Sequence, residues 1–190
     1  MYLFIDTETS DLPLRRDAPA SDTRNWPRIV QLAWLTCDSQ DEPGVPEVHL
    51  IKPDGFVIAP GAFERHRIST AYATTNGVPL RPVLDKFLKA VDRSTVVVAH
   101  GVDFDSAVVG AELIRAGLAN VLDRRELRCT MKESTNYCQL PGPYGYKWPK
   151  LGELYEILFG QPFDNAHDAA ADCVACMRCF FELKSRKVIR

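Results

Sequence analysis

The stretch Met1-Tyr2-Leu3-Phe4-Ile5-Asp6-Thr7-Glu8-Thr9 starts apolar and then sets two carboxylates two positions apart. In a β-strand, residues i and i+2 project from one face, so Asp6 and Glu8 point the same way at the end of a hydrophobic strand. Two carboxylates a few ångströms apart repel, and burial raises their pKa values unless a cation neutralises them. Hard divalent ions such as Mg²⁺ or Mn²⁺ are the usual partners of clustered oxygen ligands. The plainer reading makes Asp6, Thr7 and Glu8 a polar turn after an edge strand, and the rest of the chain has to choose between the two.

With 190 residues the chain suits one domain over 1–190. Its 46% hydrophobic and 25% charged residues exclude a disordered or fibrous protein. No apolar run reaches the length of a membrane span, and the first residues lack a basic region, so the opening is expected to be a strand and not a signal peptide. A cytoplasmic protein with no membrane partner is expected. The net charge of -2 argues against a strongly basic nucleic-acid binder, but not against an enzyme that holds phosphates through metal ions and a local basic patch. Cys37, Cys129, Cys138, Cys173, Cys176 and Cys179 are expected as thiols. Helical spacing puts Cys173 and Cys176 on one apolar stripe with Met177, Phe180 and Leu183, so this run reads as core and not as a zinc site.

After the opening strand, residues 10–28 read as a long loop rich in Pro, Asp, Ser and Arg. Ile29–Cys37 and Val45–Lys52 are strand candidates, joined as a hairpin across the turn Asp41-Glu42-Pro43-Gly44. Pro60–His66 suits a short helix, and Pro79–Val91 an amphipathic one with Val83, Leu84, Phe87, Leu88 and Val91 on its apolar face. The continuous apolar run in Ser94–His100 predicts a strand covered on both faces, followed by a helix that ends before Gly117. A short strand over Leu127–Met131, a Pro/Gly/aromatic loop over Cys138–Lys150, and helices over Lys150–Phe159 and Asp168–Lys184 complete the chain. Strands first, then strands alternating with helices, predict an α/β protein with a mixed sheet flanked by helices.

Two later segments bring acids that could join Asp6 and Glu8. Asp103 and Asp105 open the helix after His100, where an acid also suits the helix dipole as a cap. In His167-Asp168-Ala169-Ala170-Ala171-Asp172, His167 and Asp172 lie about 140° apart on a helix. They converge only if the helix starts after His167, leaving His167 on a loop end. Asp168 shares a face with Asp172 and is a rival ligand.

Phe4-Ile-Asp-Thr-Glu-Thr9, the H-x-x-x-F-D pattern from His100 to Asp105 and His167-Asp-Ala-Ala-Ala-Asp172 stand in that order over nearly the whole chain. Together they resemble the DEDDh 3′-to-5′ exonucleases, a family that includes polymerase proofreading subunits, RNase T and oligoribonuclease. Trp26–Trp34 is similar to that family's second strand. The resemblance implies a ribonuclease H-like fold with a five-stranded mixed sheet, Asp6, Glu8, Asp105 and Asp172 as metal-binding acids, and His167 as the general base. Family members often carry Asn where Gly101 stands, and Thr-Gly where this chain has Ser10-Asp11.

The implied chemistry uses two divalent cations, Mg²⁺ or Mn²⁺, about 4 Å apart around the scissile phosphate. His167, with an ordinary pKa of about 6.5, would take the proton of the attacking water. The substrate would be single-stranded nucleic acid with a free 3′ end, DNA in the first reading and RNA in the alternative, and the products nucleoside 5′-monophosphates. Thr9 and Leu12 are the substrate-binding candidates, Leu12 as an apolar wedge against the terminal base. Arg15, Arg16, Lys147 and Lys150 are candidates for phosphate contacts, and Tyr146 and Trp148 for base stacking or for the core. A polymerase or a second copy of the chain is a possible partner, and a silent nucleic-acid-binding domain is the rival from another functional class.

Overall fold

A computed structural model of the chain describes residues 1–38, 44–163 and 168–190. Strands β1 (Tyr2–Thr9), β2 (Ile29–Cys37), β3 (Glu47–Leu50), β4 (Val96–Ala99) and β5 (Glu126–Cys129) form one sheet in the order β3-β2-β1-β4-β5. β1 pairs antiparallel with β2 and parallel with β4, while β2 and β3 are antiparallel and β4 and β5 parallel. The expected five-stranded mixed sheet is therefore present, with the acidic strand at its centre.

The two-residue period of β1 divides the molecule. Leu3 and Ile5 enter a core shared with α3 (Leu80–Arg93) and α4 (Val102–Arg115). Phe4 enters a second core, on the other face, shared with α6 (Leu151–Phe159) and α7 (Ala169–Ser185). Each fully buried Leu, Ile or Phe side chain contributes about 1.5–3 kcal/mol relative to exposure. On α3 the expected apolar face is buried at Val83, Leu84, Phe87 and Val91, with Leu88 at its margin. On α7 the stripe of Cys173, Cys176, Met177, Phe180 and Leu183 is buried, and all six cysteines are free thiols.

Several elements differ from the sequence expectation. α1 (Pro60–His66) is followed by an unexpected α2 (Thr70–Asn76), which starts where the Ser69 side chain accepts from the Tyr72 amide. β5 stops at Cys129 because Glu133 accepts from the Cys129 amide and from Arg128, and so turns the next residues into α5 (Thr130–Cys138). The Pro/Gly/aromatic loop folds into a small hairpin, β6 (Pro141–Gly142) with β7 (Gly145–Tyr146). The expected turn between β2 and β3 lies, apart from Gly44, outside the described residues. Among the described residues no helix is long and apolar enough to cross a membrane.

Candidate active site

Asp6 and Glu8 continue the Phe4 face of β1, the face that α7 covers. The ladder with β2 shifts register between Glu8 and Thr9, so Val30 is an extra residue at the strand end. α7 is held there by its first turn. Asp168 is the N-cap, its Oδ1 accepting from the amides of Ala170 at 3.1 Å and Ala171 at 3.2 Å. The Ala169 amide donates to Gln31 Oε1 of β2 at 3.2 Å, and the small Ala169 side chain is fully buried against the sheet. Asp172, one turn further on, then meets β1: Asp6, Glu8 and Asp172 each offer an oxygen, all within 4.8 Å of one another.

Asp105 arrives on α4 from the opposite side. Gly101 opens that helix at φ 112, a left-handed conformation that favours glycine. Asp105 is buried, and its Oδ1 accepts from the Thr7 amide at 3.1 Å and the Thr7 hydroxyl at 2.8 Å. Asp103 instead lies exposed and pairs with Lys132, so of the two first-turn acids Asp105, the one that the resemblance implies, is the one turned inward.

Burial is the largest cause of the shifted acidities. It and the charges of Asp172 and Asp105 push Glu8 up to about 8, against the lowering influence of Arg65. Asp105 is pushed up to about 7 by burial, with the two Thr7 bonds opposing. Asp6 is raised well above the usual carboxylate range by burial, then by Asp105, Asp172 and Glu8. A cation would relieve this repulsion, and three carboxylates this close are a donor set that fits a hard divalent ion. His167, the expected base, lies outside the described residues.

Thr9 and Leu12 line a cavity of about 180 Å³ beside Glu8. The Thr9 hydroxyl donates to the Asp11 carbonyl at 2.8 Å, and Leu12 is exposed. His66, Arg65 and Phe104 share this cavity and were not singled out in the sequence. His66 ends α1 and is buried: Nδ1 accepts from the Ile68 amide at 3.1 Å, so Nε2 carries the proton and donates to the Thr9 carbonyl at 3.2 Å. Burial keeps it below the usual histidine range. The signal available in sequence was a histidine closing a short helix, with Phe104 already inside the middle motif. His100 is fixed between Thr130 Oγ1 and the Pro149 carbonyl, each at 2.9 Å, and burial pushes it down to about 4, so it stays neutral and serves as a brace. Lys147 is engaged by Glu153 at 2.5 Å, and Arg15 lies 3.9 Å from Asp22.

A model of the exonuclease family, RNase_T, matches residues 3–180. Among solved structures, E. coli exonuclease I in complex with a dA16 oligonucleotide is similar at a TM-score of 0.75 and 23% identity, over 98% of this chain and 41% of that one. Its zinc-bound complex with single-stranded DNA gives 0.75 and 24%, again over 98% and 41%. Exonuclease X in complex with 5′-overhanging duplex DNA gives 0.66 and 23%, over 100% of this chain and 95% of that one. The chain thus spans about two fifths of the exonuclease I chains it matches. At these identities the likeness shows the fold, which is that of the ribonuclease H-like exonucleases. A comparison with curated proteins returns no match.

Proposed function

The chain belongs to the exonuclease family, and we propose that it is a metal-dependent 3′-to-5′ exonuclease that removes nucleoside 5′-monophosphates from single-stranded DNA. The observation that carries this reading is the convergence of Asp6, Glu8 and Asp172 to within 4.8 Å from β1 and α7. Bound divalent cations, two in this reading and Mg²⁺ or Mn²⁺ by the oxygen donors, would supply charge stabilisation for the phosphate and a more acidic water. Asp6, Glu8, Asp105 and Asp172 would hold them. Thr7 keeps Asp105 oriented through one oxygen, Oδ1, and does not engage the other.

The general base is assigned to His167 on its motif. The cavity lined by Thr9, Leu12, His66 and Phe104 suits the terminal base, with His66 fixing the Thr9 carbonyl at its wall. DNA is favoured over RNA because the similar structures were solved with DNA. The free thiols support a reducing, cytoplasmic setting, and we read 1–190 as one exonuclease domain.

A linear strand, the same strand with a 3′ phosphate and a closed circle test the direction. The linear strand should be degraded, the blocked one should resist and the circle should survive. Cleavage of the circle at a comparable rate would make the protein an endonuclease. Faster turnover of a matched RNA strand would overturn the DNA preference.

A further inference from the structure

The β6–β7 hairpin and the two residues that follow it carry three exposed aromatic side chains. Tyr144 at the tip is 101% exposed, Tyr146 51% and Trp148 56%. Large exposed aromatics concentrated on one short segment mark a contact surface. The segment is nevertheless fixed. The Lys147 amide donates to the Leu140 carbonyl at 2.9 Å, and Gly145 adopts φ 118, which permits the tight turn. A Cβ at Gly142 would lie 3.0 Å from the Lys147 nitrogen, so the two strands close tightly. At the hairpin base Glu153 holds Lys147 and accepts from the Lys150 amide at 2.7 Å. The buried Pro149 gives its carbonyl to His100 at 2.9 Å.

That last bond sets where the hairpin stands. His100 directly follows β4 and precedes Gly101, the residue that starts the helix bearing Asp105. β4 lies beside β1 in parallel, so the hairpin is attached at the sheet end where Asp6 and Glu8 lie. Its chemistry also selects a partner. From Gln139 to Lys150 there is no acidic residue and there are two lysines, of which Lys147 is paired with Glu153 at the hairpin base, so the segment brings no negative charge of its own against a polyanion and offers it Lys150. Aromatic faces beside cations are what single-stranded nucleic acid uses, because every base has a π-face.

We propose that this hairpin is a stacking platform for the bases of the single strand upstream of its 3′ end, with Tyr144, Tyr146 and Trp148 as the stacking groups. The proposal rests on the exonuclease reading above and extends it to the part of the strand that is not being cut.

Trp148 supplies the test, since Trp26 and Trp34 are 4% and 2% exposed and acrylamide reaches only Trp148 efficiently. The full chain is titrated with a 20-nucleotide oligo(dT) in EDTA plus Ca²⁺ in excess, and acrylamide quenching is read beside the anisotropy of a labelled strand. Quenching should fall as the strand saturates. Tyr144→Ala combined with Tyr146→Ala should weaken binding about tenfold or more, and Tyr144→Phe with Tyr146→Phe should restore it. In Mg²⁺ the loss in the alanine variant should reside mainly in KM and grow from a dinucleotide to the 20-mer. Unchanged quenching on a bound strand, or equal affinity of the alanine variant, would overturn the platform while leaving the exonuclease reading intact. A parent protein that binds the strand with protected Trp148 yet degrades nothing would fail the exonuclease reading and uphold the platform. No binding at all would overturn it and point the aromatic surface to a protein partner.

Discussion

The hydroxyl of Thr7 donates to Oδ1 of Asp105 across 2.8 Å, joining β1 to the first turn of α4 underneath the acidic cluster. Because Thr7 alternates with Asp6 and Glu8 along the strand, one face of β1 presents acids to α7 while the other holds the acid of α4 in place. Thr7→Val keeps the shape and removes the bond, leaving a buried carboxylate with one partner fewer. It should cost about 1.5–3 kcal/mol, the range for hydrogen bonds to charged groups, and lower turnover. Thr7→Ser should recover most of both, as read by thermal melts and strand degradation. An unchanged melting temperature in Thr7→Val would show that the bond contributes nothing.

The raised acidities give a pH signature in metal-free protein. Glu8 titrates near 8 when folded and near 4.5 when unfolded, so between those values the folded state binds more protons and stability falls as pH rises. Glu8→Gln should therefore raise the melting temperature in EDTA, more at pH 8 than at pH 5, by about 2–4 °C per kcal/mol of relief. Mg²⁺ or Mn²⁺ should stabilise the parent at pH 8 and do so far less in Glu8→Gln.

His100 works in the opposite sense. Its folded pKa near 4 lies below the ordinary 6.5, so the unfolded state binds more protons between these values and stability is lost as pH falls through that window. His100→Ala should remove this acid sensitivity while costing about 1–3 kcal/mol at pH 7 through the lost bonds to Thr130 and Pro149. Chemical denaturation at pH 5 and pH 7 measures both effects.

Asp168 and Asp172 stand one helical turn apart and the sequence offered both as ligands. The structure gives Asp168 the N-cap and brings Asp172 to Asp6 and Glu8. Asp168→Ala should cost about 0.5–2 kcal/mol and leave the metal-induced rise in melting temperature in place, and Asp168→Ser should restore the cap. Asp172→Ala should abolish the rise. Equal loss in the two alanine variants would make Asp168 a ligand.

His167→Ala should lower turnover roughly 10²- to 10⁴-fold, the usual contribution of a positioned acid-base group, with the metal-induced stabilisation retained. Steady-state turnover and thermal melts in Mn²⁺, measured on the same preparation, decide it. Loss of Mn²⁺ stabilisation equal to that of Asp172→Ala would make His167 a ligand.

What the sequence disclosed followed from pattern. The period of two in β1 placed Asp6 and Glu8 on one face, and the periods of α3 and α7 placed their apolar stripes. What it hid depended on single hydrogen bonds between distant or competing groups. α2 carries no apolar stripe and starts on the Ser69 cap, while α5 exists because Glu133 reaches back to Cys129. His66 joins the cavity through a left-handed Arg67 at φ 60 that ends α1, a conformation not readable from an arginine. Helix geometry alone left Asp103 and Asp105 together, and only the H-x-x-x-F-D resemblance chose Asp105; Lys132 and Thr7, far along the chain, give that choice its physical reason.

The acids of β1 and α7 are proposed to act together on a 3′ end. The most direct measurement follows a 5′-labelled single strand of DNA in Mg²⁺ or Mn²⁺, with the parent protein, with excess EDTA, and with Asp6→Asn. The parent should shorten the strand stepwise from its 3′ end and release nucleoside 5′-monophosphates, and both EDTA and Asp6→Asn should leave the strand whole. Undiminished degradation in EDTA or by Asp6→Asn, or immediate release of the labelled 5′ nucleotide, would contradict it.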